Sequence, residues 1–323
     1  MSSEAARDAR PLILLGVGRS GTTLLRVMLD RNTKLAIPDE SFFMLPLARR
    51  HRGRVKADAF YDDLRRLPRL REWDISPEAV RPRLHDGMTT GEAISAIFAT
   101  YAEKHGKPRW GDKTPLYMQH LPLLERLFPD ALWVHLVRDG RDAALSFLAL
   151  PPGFSGKTWA QPRTVAQFAA RWKVEIDAAR ALGGRARGRY LELRYEELVA
   201  DPARELRRVC EFASLPWEPA MVEYAGQVDV TNLPQHQRLT QPPTANVRDW
   251  RNEMPAADAR AFENVAGDVL ASSGYELLNG GARYPTAGGR RELARFRTLA
   301  RGWNAATNLV QSSPLWPRSH PAA

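Results

Sequence analysis

Cysteine is almost missing from this sequence: Cys210 stands alone among 323 residues. One thiol can neither close an internal disulfide nor build a cysteine-based metal cluster, and its scarcity agrees with a reducing compartment, the cytoplasm. Within RELRRVCEFASL it falls in the apolar phase, so it reads as packing rather than as a nucleophile. Long apolar runs are missing as well. No stretch approaches the roughly 18 residues of a membrane span, and the opening MSSEAARDAR lacks the hydrophobic centre of a secretory signal, so no transmembrane segment is expected. Acid is the scarcer charge, with 37 acidic against 47 basic residues and a net +10. A basic stripe through the domain would point to nucleic acid, but the excess lies elsewhere. Between 281 and 323 seven arginines (283, 290, 291, 295, 297, 301, 318) face Glu292 alone, which places +6 of the +10 there. The mild +4 that remains suits an anionic small molecule, and no nucleic-acid partner is expected.

What is present is ample core material, 44% apolar residues in a chain long enough for one or two domains. Short apolar runs read as buried strands: LILLG (12–16), LAI (35–37), the segment around Arg109 and Trp110, LWVHLV (132–137) and YLELRY (190–195). Between them lie helical patterns such as TTLLRVMLDRN, GEAISAIFATYAEKH and VAQFAARWKVEIDAARAL. Strands alternating with helices predict an α/β fold, a central parallel sheet of about five strands flanked by helices. Residues 42–108 have helical period without a strong strand and read as a helical insert, a lid over the sheet's ligand-binding edge. PPGFSGKTWAQP (151–162) and the stretch 229–248 read as loops. The main domain is taken as 1–280 and a basic extension as 281–323. RRELARFRTLARGW in that extension is a basic amphipathic segment expected to dock on its own domain or on a partner subunit rather than to anchor on a membrane, which leaves a homodimer open.

GVGRSGTT (16–23) carries the chemistry and fits two motifs at once. Gly16, Gly18 and Gly21 satisfy G-x-G-x-x-G, and Gly16 and Gly21 have the spacing of G-x-x-x-x-G-K-[ST] with Thr22 in place of the lysine. A dinucleotide reading gains an acid about 20 residues on, Asp39 or Glu40, but leaves Arg19, Ser20, Thr22 and Thr23 unexplained. A kinase reading explains the hydroxyls and loses the lysine that reaches the terminal phosphates. The loop instead suits an anion with less charge at its end, held by a forked guanidinium, hydroxyls and helix-start amides. A tight turn without a ligand is the remaining alternative.

G-x-x-R-S-G-T-T-L-L after the first strand resembles the 5'-phosphosulfate loop of sulfotransferases that use 3'-phosphoadenylyl sulfate (PAPS). LWVHLVRDGRDAALS (132–146) is similar to their 3'-phosphate element, WGDKTP (110–115) to a segment of the bacterial and protein-tyrosine branches, and YLELRYEELVADP (190–202) to the family's strand and helix start. The likeness runs from about residue 11 to 275. It implies a P-loop-like three-layer fold. It also implies a nucleotide held by Arg19, Ser20, Gly21, Thr22, Thr23, Arg138 and Ser146, with Tyr195, Trp250 and Arg251 as further contacts.

The reaction implied is transfer of a sulfuryl group from PAPS to a hydroxyl or amine of a small-molecule or peptide acceptor, leaving 3',5'-adenosine bisphosphate (PAP), with no metal required. Lys113 and Arg19 would meet the charge that develops on the leaving oxygen. By the same resemblance Glu40, 21 residues beyond Arg19, is the general base, with His236 in the long loop as the fallback. The competing reading makes Asp39 and Glu40 the cap of a helix beginning near Ser41. Lys113 has its own, a surface ion pair with Asp112, and His135 reads as structural.

Overall fold

A computed structural model describes residues 10–151, 161–225, 248–280 and 282–312. His236 and nearly all of the two expected loops lie outside the described residues.

The chain opens with β1 (Leu12–Leu15), α1 (Thr22–Asp30) and the two-residue β2 (Leu35–Ala36). Five helices follow: α2 (Met44–Arg50), α3 (Ala57–Leu64), α4 (Pro68–Glu72), α5 (Pro77–Val80) and α6 (Thr90–Lys104). Next come β3 (Arg109–Lys113), α7 (Leu121–Leu127), β4 (Leu132–Val137), α8 (Gly140–Leu148) and α9 (Val165–Arg185). The remainder is β5 (Tyr190–Arg194), α10 (Tyr195–Ala200), α11 (Pro202–Ala213), α12 (Trp250–Glu253), α13 (Ala256–Ser272) and α14 (Ala287–Ser312). The strands form one sheet in the order β2-β3-β1-β4-β5, with every pairing parallel.

Helices cover both faces, and strand alternation sorts the apolar side chains between two cores. Ile13, Leu15, Trp133 and Val137 face one side, where Phe168, Trp172, Phe262 and the aromatics of α6 pack. Leu12, Leu14, Leu132, Val134 and Leu136 face the other, against Leu25, Met28, Leu198 and Leu206. The helical segment 42–108 belongs to the first core: Phe98 stacks on Trp110 of β3 at 4.5 Å, and Phe43 meets Trp73 edge-on at 5.3 Å. His135, buried in β4, bonds the Tyr190 hydroxyl at 2.6 Å and Glu192 at 3.2 Å, which accounts for it structurally.

Helix starts follow local chemistry. Thr89 and Glu92 close a capping box on α6, and Asp201 with Pro202 opens α11. α14 docks on α13 through Gly289, where a Cβ would lie 2.0 Å from the Asn264 carbonyl, and through Leu293 in the first core.

Arg141 at the start of α8 has no exposed surface. Its guanidinium grips Asp139 through Nε (3.0 Å) and Nη2 (2.7 Å), and it donates to Glu263 (3.0 Å) and to the Glu276 carbonyl (2.9 Å). Trp250 lies over it at 3.6 Å. Arg141→Ala would strand two buried carboxylates and is expected to cost about 3–5 kcal/mol in denaturant unfolding. A loss below about 1 kcal/mol would show that the cluster does not hold α8 in place.

Candidate active site

The turn from β1 into α1 is constrained on every side. A Cβ on Gly16 would lie 2.5 Å from Thr22 and 3.0 Å from the Leu136 carbonyl, so the loop passes close over β4. Gly21 has φ +90°, and a Cβ there would enter the Tyr195 ring at 2.4 Å. Arg19 itself sits at φ +75°, a strained state for a residue with a side chain. α1 then starts with no side-chain cap and no acid in its first turn. Its leading amides therefore have no intrahelical partner, and the positive end of the helix faces the loop. Ser20 is fully buried, and its hydroxyl has no hydrogen-bond partner among the described residues. These are the features of an anion cradle, with donors present and acceptors missing.

Cations close around it. Arg19 Nε donates to Ser146 Oγ of α8 at 3.1 Å, and Arg138 Nη1 donates to the Arg19 carbonyl at 3.3 Å. The Arg138 guanidinium lies 4.6 Å over the Tyr195 ring, and its buried Nε is unpartnered. Burial first, and then the nearby charges of Arg138 and Arg248, lower the pKa of Arg19. Arg138 and Ser146 thus do not bond each other; each reaches the loop through Arg19.

Beside the cradle, Lys113 ends β3, only 3% exposed, and donates to Glu40 Oε1 at 2.5 Å and to Thr23 Oγ1 at 3.2 Å. Burial lowers the lysine pKa and Glu40 opposes that shift. The neighbour expected as its ion-pair partner, Asp112, is fully buried instead and accepts from the Thr114 hydroxyl at 3.2 Å. Thr114 Oγ1 in turn takes the Ser41 amide at 3.0 Å, and Ser41 Oγ bonds the Tyr117 hydroxyl at 2.8 Å. This knot holds the chain after β2 against the end of β3 and delivers Glu40 to Lys113.

The helix-cap reading of Asp39 and Glu40 is corrected. No helix begins until Met44, because Ser41 is tied to Thr114 and Phe42 turns the chain at φ +52°. Asp39 pairs with Arg26 of α1 at 2.9 Å.

Trp250 and Arg251 are not brought to the loop. Trp250 packs on Arg141 and donates its amide to Asp142 at 2.8 Å, while Arg251 pairs with Glu276 at 2.8 Å. Arg248, earlier in the same VRDWR run, is the residue whose charge reaches Arg19. Sequence reasoning also missed Arg171 of α9, whose guanidinium would lie 4.0 Å from a Cβ on Gly18. Its pairing with Glu175 at 2.8 Å, four residues on, reads in sequence as an ordinary helix-surface ion pair.

The sequence profile of the sulfotransferase family matches residues 11–219, a span holding the loop, Glu40, Lys113, Arg138 and Ser146. The chain belongs to the sulfotransferase family. Among named relatives of this sulfotransferase-family chain, Protein-tyrosine sulfotransferase 1 of Danio rerio is 26% identical, over 82% of this chain and 72% of that one. Nodulation protein NoeE of Sinorhizobium fredii is 28% identical, over 92% and 75%. Protein-tyrosine sulfotransferase A of Caenorhabditis elegans is 27% identical over 69% of this chain, and the match spans only 55% of that protein. In fold, the sulfotransferase domain of the Synechococcus olefin synthase superposes with a TM-score of 0.56 at 23% identity, covering 83% of this chain and 96% of that one. No helix among the described residues is long and apolar enough to cross a membrane.

Burial raises the Asp112 carboxyl to about 7, and burial with Asp139 nearby does the same for Asp142. A carboxyl whose folded pKa is raised binds more protons folded than unfolded between about pH 4 and pH 7, so stability falls as pH rises through that window. Asp112→Asn removes this ionisation. It is expected to leave stability near pH 4 little changed and to raise it above pH 7 by a few kcal/mol, on the order of the linkage for about three pK units. Urea unfolding of both proteins across that range checks it, and parallel pH curves would refute it.

Proposed function

We propose that the protein is a PAPS-dependent sulfotransferase and that GVGRSGTT is its 5'-phosphosulfate cradle. The observation that carries the reading is the set of unmet donors there: the buried Ser20 hydroxyl without a partner, the uncapped start of α1, and Arg19 held across the loop by Ser146. Arg138, with a free Nε and its guanidinium braced on Tyr195, is the residue we assign to the 3'-phosphate, with Ser146 and Arg248 beside it.

The chemistry is an in-line displacement. The acceptor oxygen or nitrogen attacks sulfur, an S–O bond forms, and the S–O bond to the 5'-phosphate breaks to release PAP. The acceptor's proton passes to Glu40, and the negative charge on the departing phosphate oxygen is met by Lys113, Arg19 and the amides of Thr22 and Thr23. The contact between Lys113 and Glu40 supports this division of labour, because it sets the proton acceptor and the charge-stabilising cation side by side at the mouth of the loop. The helical segment 42–108 would roof the acceptor side, where Phe42 stands exposed next to Glu40 with Arg69 over its ring at 5.3 Å. Cytoplasmic residence fits the single thiol, which burial raises to about 11 and so keeps unreactive.

Calorimetry with PAP and with adenosine 5'-monophosphate tests the nucleotide assignment. PAP is expected to bind more tightly, and Arg138→Ala to weaken PAP while sparing the monophosphate; equal affinity of the two would defeat it. Glu40→Gln is expected to keep PAP affinity and to lower sulfuryl transfer from labelled PAPS about 100- to 10,000-fold over an acceptor panel. Unchanged turnover would remove Glu40 as base.

A further inference from the structure

α14 has one settled face and one unsettled face. Gly289, Leu293 and Phe296 pack inward, and near its far end Gln311 accepts a bond from Arg49. The orientation of its outer side is thereby set along a helix of 26 residues, about 39 Å at a rise of about 1.5 Å per residue.

Away from that packing the helix carries five exposed arginines, Arg291 and Arg295 on its outer line and Arg290, Arg297 and Arg301 to one side of it. The acid beside them is Glu292, 3.8 Å from Arg295, and Arg290 donates to the Pro285 carbonyl. Arg291, Arg297 and Arg301 form no ion pair among the described residues. Helical spacing puts Arg291, Arg295, Gly302 and Leu309 on one line, with Arg290, Arg297 and Arg301 along one flank and Leu299 and Val310 along the other. Of the large hydrophobic side chains exposed among the described residues, half are on this helix: Leu299, Val310 and Leu309, the last 78% exposed.

We propose that the outer face of α14 docks on an anionic phospholipid bilayer, lying on its surface without spanning it. A nucleic acid or acidic polysaccharide would engage the arginines and leave Leu299, Leu309 and Val310 in water. A second copy of the chain would set arginine against arginine across the contact. A bilayer uses both features at once, lipid phosphates meeting the guanidiniums while the leucines and valine enter the boundary with the acyl chains. The helix holds the protein on the membrane by its own outer side while its inner side stays part of the folded domain.

The test is sedimentation of the full chain with vesicles of phosphatidylcholine alone and of phosphatidylcholine mixed equally with phosphatidylglycerol. Binding is expected only to the mixed vesicles, weakening as salt is raised. Changing Arg291, Arg297 and Arg301 together to Gln should reduce it about a hundredfold, about fivefold for each arginine. Leu309→Asp with Val310→Asp should also reduce it, with unchanged circular dichroism and thermal unfolding as the folding control. The proposal is overturned by equal binding to both vesicle types or by none. It is equally overturned if the double aspartate variant sediments like the parent while duplex DNA competes the vesicles away. A dimer in light scattering that dissociates when the three arginines are replaced would reassign the face to self-association.

Discussion

One buried guanidinium, that of Arg141, is the joint on which the candidate site hangs. It lies without solvent contact among Asp139, Glu263, the Glu276 carbonyl and the Trp250 ring, so it joins the start of α8, the middle of α13 and the short helix α12. A charge in that position is tolerable only because its donors are matched by two carboxylates and a carbonyl. Asp139 meanwhile accepts the Arg141 amide at 2.9 Å as the cap of α8. The same carboxylate therefore fixes where the helix begins and where its neighbour is anchored. Arg138 lies just before this cap, Ser146 two turns after it, and Arg248 just ahead of the segment that Trp250 pins down.

The cradle is electrostatically the inverse of this joint. Each guanidinium nitrogen of Arg141 has an acceptor, whereas at the glycine loop the Ser20 hydroxyl and the Arg138 Nε have none among the described residues. Buried polar groups are ordinarily paired, so the unpartnered Ser20 hydroxyl and the buried Nε of Arg138 are the observations that support the proposed anion site. The close packing of Gly16 on β4 and of Gly21 on Tyr195 explains how a loop with a strained arginine keeps its shape. Glu40 and Lys113 stand at its edge as a pair, reached from two strands that the sheet places side by side.

Much of the fold was legible because its signals are local. LWVHLV became β4 residue for residue, as expected of a continuous apolar run closed by a turn on one side and Asp139-Gly140 on the other. The helix begun by Thr164 runs through VAQFAARWKVEIDAARAL and on to Arg185 as its spacing implied. The reading faltered where a residue's partner belonged to another element. Asp39 looked like a cap because it precedes a helix, yet Thr114, far along the chain, ties Ser41 and delays that helix to Met44. Trp250 and Arg251 looked like ligand contacts by their place in VRDWR, but their partners, Arg141 and Glu276, belong to other elements, and Arg248 is the one whose charge reaches Arg19.

The amino-acid pattern alone determined the alternating strands and helices, the glycine turn with hydroxyls where a lysine would stand, and the concentration of arginine near the end of the chain. Only the tertiary structure decided which groups meet. Arg19 and Ser146 are 127 residues apart in sequence and 3.1 Å apart in space. Lys113 turns from its neighbour Asp112 to Glu40, and α14 hides one side while exposing the other. The physical reason is that periodicity tells which residues share a face of their own helix or strand, whereas the element packed opposite that face is chosen by the whole core at once.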